Sequence, residues 1–99
     1  MATETVKVIA RITARADTLD ELKAVLQRLV RPTRAENGCL SYELFQSTTV
    51  AAEFVFVEEW ASAAAIDSHM ASVHVQEAFA RAQPLLSCPP DIRMYRTVA

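Results

Sequence analysis

"CLSYELFQSTTVAAEFVFVEEW", residues 39–60, is the stretch whose reading decides the fold. In its first part Leu40, Tyr42 and Leu44 alternate with Ser41, Glu43 and Phe45; in its last part Phe54, Phe56, Glu58 and Trp60 alternate with Val55, Val57 and Glu59. A period of two marks strands, because successive side chains leave a strand on opposite faces. The intervening "TTVAA" is short enough for a hairpin, so the middle of the chain reads as an antiparallel pair.

Working outward, "TVKVIARITA" places Val6, Val8, Ala10, Ile12 and Ala14 on one face at the same period, with Lys7, Ile9, Arg11 and Thr13 on the other. This predicts a first strand. Between it and the hairpin, "DTLDELKAVLQRLVRPTRAENG" repeats Leu19, Leu22, Val25, Leu26, Leu29 and Val30 at threes and fours, the spacing of an amphipathic helix. Thr18 and Glu21 have the spacing of a capping box, Pro32 should kink the helix or restart it as a last turn, and Asn37-Gly38 supplies a left-handed stop. After the hairpin two helical pieces are expected, about 62–71 and 73–86, capped by Ser62 and Ser72 and ended by Pro89 and Pro90. "DIRMYRTV" is a last strand with Ile92, Met94, Arg96 and Val98 on one face. The order β-α-β-β-α-α-β in an α+β chain predicts a ferredoxin-like antiparallel four-stranded sheet, helices on one side.

The other side of that sheet is also apolar. Ile9, Phe45, Val55 and Val57 lie opposite the main stripe, and a second copy of the sheet is the simplest cover, which predicts a homodimer in the form of a dimeric α+β barrel. The 99 residues suit a single domain over 1–99, and 52% hydrophobic with 22% charged residues fit a filled core. Bases are scattered and the net charge is -2, which argues against nucleic acid as a partner. The start "MATETVKVIARI" is unlike a signal peptide, and no segment is long and apolar enough for a membrane span, so a cytoplasmic protein is expected. Cys39 and Cys88 have neither zinc nor disulfide-framework spacing and read as buried free thiols. With a single glycine, Gly38, there is no dinucleotide or phosphate loop either, and no cofactor is expected.

Three stretches in series, "ENGCLSYELFQS", "FVFVEEWAS" and "AIDSHMASVHVQEAF", resemble the signature stretches of the antibiotic biosynthesis monooxygenase domain. The G-C-L-x-Y-E-L strand, the E-x-W strand end and the H-x-x-S-x-H helix junction come in the family's order, and the similarity covers nearly the whole chain. The resemblance implies a dimeric barrel with a pocket in each subunit between sheet and helices. It also implies oxidation of quinols or polyketide anthrones by dioxygen without metal or flavin. A haem-degrading branch shares the tryptophan but uses a first-strand asparagine and a later helix histidine; here "VIARIT" and "VQEAFARAQ" have neither. A branch that isomerises a small phosphorylated signalling metabolite is the alternative enzyme, and a ligand-binding barrel without catalysis is the alternative outside enzymology.

Ile66, His69, Met70 and Val73 share a helical face, which turns His69 inward as either a packed core histidine or a general base. His74 shares a face with Glu77 and Arg81 and reads as partly solvated. Trp60, Phe54, Phe56 and Glu58 form an aromatic wall suited to a flat substrate, and Glu58 needs a partner there, with Arg11, Arg93 and Arg96 as candidates. A quinol hydroxyl near ~10 facing a histidine near ~6.5 makes proton transfer uphill by about 5 kcal/mol, so the oxyanion must be stabilised. The expected catalytic set is therefore His69 as base with Trp60 and Arg11 at the oxyanion; His74, Tyr42, Phe56, Glu58 and Met70 are the expected substrate contacts.

Overall fold

Four strands and three α-helices follow one another as β1 (Val6–Thr13), α1 (Leu19–Arg34), β2 (Cys39–Gln46), β3 (Glu53–Trp60), α2 (Ala63–Met70), α3 (Val73–Ala82) and β4 (Asp91–Tyr95). The structure, a computed structural model, describes residues 4–99; the first three residues of the start read as unlike a signal peptide lie outside them. The strands form one antiparallel sheet in the order β2-β3-β1-β4. This is the ferredoxin-like β-α-β-β-α-α-β fold expected from the strand and helix periods. Among the described residues no helix is long and apolar enough to cross a membrane.

The core lies where the period-two stripes meet the helices. Val8, Ala10 and Ile12 stand opposite Glu58, Phe56 and Phe54, and Tyr42 stands opposite Glu58 on the far side of β3, so one face of three strands is continuous and buried. α1 covers it with Leu22, Leu26, Leu29 and Thr33, spaced by four, three and four so that they form one stripe. Ile66 and His69 of α2 and Val75, Ala78 and Ala82 of α3 complete the layer. On the other face Ile9, Phe45, Val55 and Val57 come together by register, with Ile9 across from Val57 and Phe45 across from Val55.

Local expectations fail where a neighbour changes the geometry. Thr18 occupies the N-cap position of α1 but makes no capping box: its hydroxyl donates to the Leu85 carbonyl at 2.6 Å, tying the helix start to the chain before β4. Pro32 neither ends nor restarts α1, since only its own missing bond to the Arg28 carbonyl is lost and just two helical residues follow it. The helix stops at Ala35, and Gly38, the one described residue with positive φ (85°), instead opens β2. A β-bulge between Cys39 and Ser41 takes Leu40 out of the alternation and leaves it 53% exposed. Val73 is 72% exposed, because the turn at Ala71 and Ser72 resets the helical phase after Met70. Pro84 converts the end of the second helical piece into a short 3-10 turn, Gln83–Leu85. β4 stops at Tyr95, before Arg96 and Val98. Of the two thiols expected to be buried, Cys39 is half-buried and Cys88 exposed.

Candidate functional site

Three elements bring the polar groups of the site together. Ser62 starts α2 by accepting a hydrogen bond from the Ala65 amide, and eight residues of helix carry His69 to its far end, over β2 and β3. The turn into α3 is closed by Ser72, whose amide and hydroxyl both donate to the His69 carbonyl, the hydroxyl at 2.6 Å. That turn places His74 beside His69, the ring centres 6.2 Å apart. The third group is Glu36, from the turn after α1, held by its own amide on the Thr33 carbonyl and by the Cys39 amide on its carbonyl.

Glu36 joins the two histidines. One carboxylate oxygen, Oε2, lies 2.7 Å from His69 Nδ1 and 2.7 Å from His74 Nε2. Read as a helix-end acid in "RAENG", Glu36 gave no signal in the sequence; only the fold carries it across 33 and 38 residues to its partners. The three donor atoms all lie within 4.8 Å of one another, so the fold assembles a possible ligand set that no sequence spacing displays.

Below the histidines the buried groups settle Glu58's partner. It is none of the three arginines: the Trp60 indole N–H donates to Glu58 Oε1 at 2.9 Å, both residues being buried. Burial pushes the Glu58 carboxyl up to about 7, from an ordinary 4.5; the Trp60 hydrogen bond opposes the rise and the Glu36 charge adds to it. Burial, reinforced by the Glu58 carboxylate, also raises the Tyr42 phenol far above its ordinary range, which keeps it protonated. His69 packs on Trp60 with ring centres 4.7 Å apart and stands edge-on to Tyr42 at 5.7 Å.

These groups open into a cavity of about 680 Å³ between the sheet and the helices. It runs along β1: Glu58, across from Val8, marks one end, and Ser87, whose amide bonds the Thr13 carbonyl, marks the other. Glu58, His69 and Tyr42 are polar at the first end, and Gln83, Ser87 and Cys88 at the second. The walls between are apolar, from Val8, Ala10, Leu26, Phe56, Met70 and Phe79 among others, and among the described residues no lysine or arginine lines the space. The volume suits a small organic ligand.

Of the residues expected at a site, the cavity wall holds His69, Tyr42, Phe56, Glu58 and Met70. Trp60 is fully buried behind that wall, with its N–H committed to Glu58. His74 sits behind His69, linked to it through Glu36. Arg11 is on the opposite face of the sheet, exposed and 3.4 Å from Glu53. It lies an odd number of positions along β1 from Val8, Ala10 and Ile12, so its side chain leaves the other face of the sheet and does not line this cavity.

The chain matches the family model described as antibiotic biosynthesis monooxygenase over residues 5–81. It belongs to the antibiotic biosynthesis monooxygenase family. Within that family it is 40% identical over 87 residues to the "Putative monooxygenase Rv0793" of Mycobacterium tuberculosis, covering 88% of this chain and 85% of that one. The solved structure of Rv0793 superposes with a TM-score of 0.91 at 36% identity, covering 96% of each chain. A Synechocystis protein, sll1783, is 30% identical over 95 residues; these are 96% of this chain and 65% of that longer protein. Family membership supports a monooxygenase-like activity, and the cavity of this family member holds His69, Glu58 and Tyr42 at one end.

Proposed function

We propose that the chain is a homodimeric monooxygenase that oxidises a flat phenolic substrate, a quinol or anthrone, with dioxygen and without metal or flavin. The observation that carries this reading is the cavity, an apolar slot with an imidazole, a carboxyl and a phenol, from His69, Glu58 and Tyr42, gathered at one end. A planar ring fills the apolar part by area burial, and its hydroxyl meets the polar end. His69 Nε2 takes the hydroxyl proton. The electron-rich anion then gives an electron to dioxygen, and the radical pair recombines; one oxygen atom enters the ring, the other leaves as water, and the substrate supplies the electrons.

The anion needs a donor, because the proton transfer alone is uphill by about 5 kcal/mol. Trp60 has spent its N–H on Glu58, and Arg11 faces away. Glu58 takes that role in this reading. Its carboxyl, held up to about 7, keeps its proton below that pH and donates it as a hydrogen bond in a dry, apolar setting where such a bond is strong. A phosphorylated substrate has less support, since no lysine or arginine among the described residues lines the cavity to meet a phosphate.

Oxygen uptake with a panel of quinols and anthrones, run aerobically and anaerobically, tests the reading. Turnover that requires oxygen is expected, and His69→Gln should lower it by ~100-fold or more while leaving the melting temperature nearly unchanged. Full activity in His69→Gln would place the base elsewhere, and turnover appearing only after a transition metal or flavin is added would overturn the cofactor-free scheme.

A further inference from the structure

We propose that Glu36 is the positioning residue for His69, fixing which imidazole nitrogen carries the proton, with His74 in turn holding Glu36; this rests on the reading of His69 as the cavity base. A carboxylate oxygen only accepts hydrogen bonds, so the two 2.7 Å contacts to Oε2 require a proton on the facing nitrogen of each ring. His69 is thereby the Nδ1–H tautomer and His74 the Nε2–H tautomer. The two histidines are locked in opposite forms by one atom.

The consequence falls on the free edge of His69. Its Nε2 has no hydrogen-bond partner among the described residues, yet it is not sealed in: Thr33 Oγ1 is the buried side-chain polar atom without a partner among them. His69 lines the cavity, so the Nε2 lone pair is presented there, unprotonated and unpaired. When a substrate O–H gives its proton to Nε2, the O–H bond breaks, an Nε2–H bond forms and the electron pair stays on the substrate oxygen. The ring becomes a cation whose Nδ1–H already points at the Glu36 carboxylate, which stabilises it at the moment it forms. Glu36 keeps its charge throughout. His74 adds a second donor to the same oxygen, and with Ser72 Oγ 3.4 Å from its Nε2 it is anchored to the turn that carries the His69 carbonyl.

The same three side chains could instead hold a cation, and distance decides between the two. A zinc ion with bonds of about 2.0–2.1 Å at tetrahedral angles keeps its donors about 3.3 Å apart. The observed 2.7 Å contacts are charge-assisted hydrogen bonds by length.

Histidine nitrogen spectroscopy on the intact protein labelled with nitrogen-15 reads the tautomers without any substrate, and only two histidines contribute. At alkaline pH the expected spectrum has one ring of each tautomer, His69 protonated at Nδ1 and His74 at Nε2. In Glu36→Gln the His69 signals should move toward the Nε2–H form that free imidazole side chains favour, and kcat should fall ~100-fold with KM little changed. An Nε2–H tautomer for His69 in the wild-type protein overturns the proposal, whether or not any quinol is turned over. So does one-to-one binding of Zn²⁺ or Co²⁺ that Glu36→Gln and His74→Gln each abolish, which would make the cluster a metal site. If the tautomers are as expected and no substrate consumes oxygen, the arrangement stands and the monooxygenase reading fails, so the two are separable.

Discussion

Glu58 shows what a single residue can do to the behaviour of the whole chain. Its carboxyl has an ordinary value of 4.5 unfolded and about 7 in the folded protein, a raised value. The associated stability is fully present below 4.5 and is lost as pH rises through 7, a fall of roughly 3 kcal/mol, because the folded state must then give up a proton it holds tightly. Glu58→Gln keeps an acceptor for the Trp60 indole and cannot ionise. Its melting temperature should therefore gain on the wild type between pH 5 and pH 8, by thermal melts in matched buffers. Trp60 is the only tryptophan, so its fluorescence should follow the same titration in the wild type and not in the variant. A difference between the two proteins that is the same at both pH values would mean that Glu58 ionises as a surface carboxylate does. The period of two put Glu58 and Trp60 on one strand face, but it could not say that they bond to each other and not to an arginine. Strand parity did contain the evidence against Arg11, since an odd position on β1 faces away from Val8 and Ala10.

Element boundaries depend on close approaches that periodicity does not register. Gly38 has φ 85°, and a Cβ built there would lie 2.6 Å from the Cβ of Ala65, in the first turn of α2. The turn before β2 and the start of the helix that carries His69 are thus packed backbone against side chain. Gly38→Ala should lower stability by about 2 kcal/mol or more, combining the left-handed backbone cost with a clash against an atom that has no rotamer to escape into. Chemical denaturation measures it, and a loss under 0.5 kcal/mol would mean that α2 shifts freely. The glycine was legible as a left-handed position, but its place immediately before β2, four residues beyond the end of α1, was not. Leu40 was misread for a related reason: alternation assumes an unbroken ladder, and the bulge at Cys39 and Ser41 breaks it. Glu36 was invisible because nothing in a helix-end acid distinguishes solvent from two histidines more than 30 residues away.

For the whole molecule, element order and layer arrangement followed from the two periods, since stripes at two and at three to four admit few ways of burying one another. The remaining face of the sheet is the larger question. Ile9, Phe45, Val55 and Val57 cluster there by register, Phe45 being 49% exposed, with Tyr95 beyond them at 48%. A self-complementary pairing of two such faces is the expected assembly. Sedimentation at low micromolar concentration should give a dimer, and Val57→Arg, which puts a charge into the middle of the patch, should give a monomer. A folded wild-type monomer at that concentration would leave the apolar face without its proposed cover.

The long cavity separates two tasks that can diversify at different speeds. His69, Glu58 and Tyr42 come from α2, β3 and β2, locked by ladder, helix and the Glu36 bridge, while the far wall from Gln83 to Pro90 is mostly a connection outside those ladders. Connections tolerate substitution and insertion better than the elements they join. A descendant of this chain can therefore reshape one end of its cavity by altering residues 83–90, with the His69, Glu58 and Tyr42 end inherited intact.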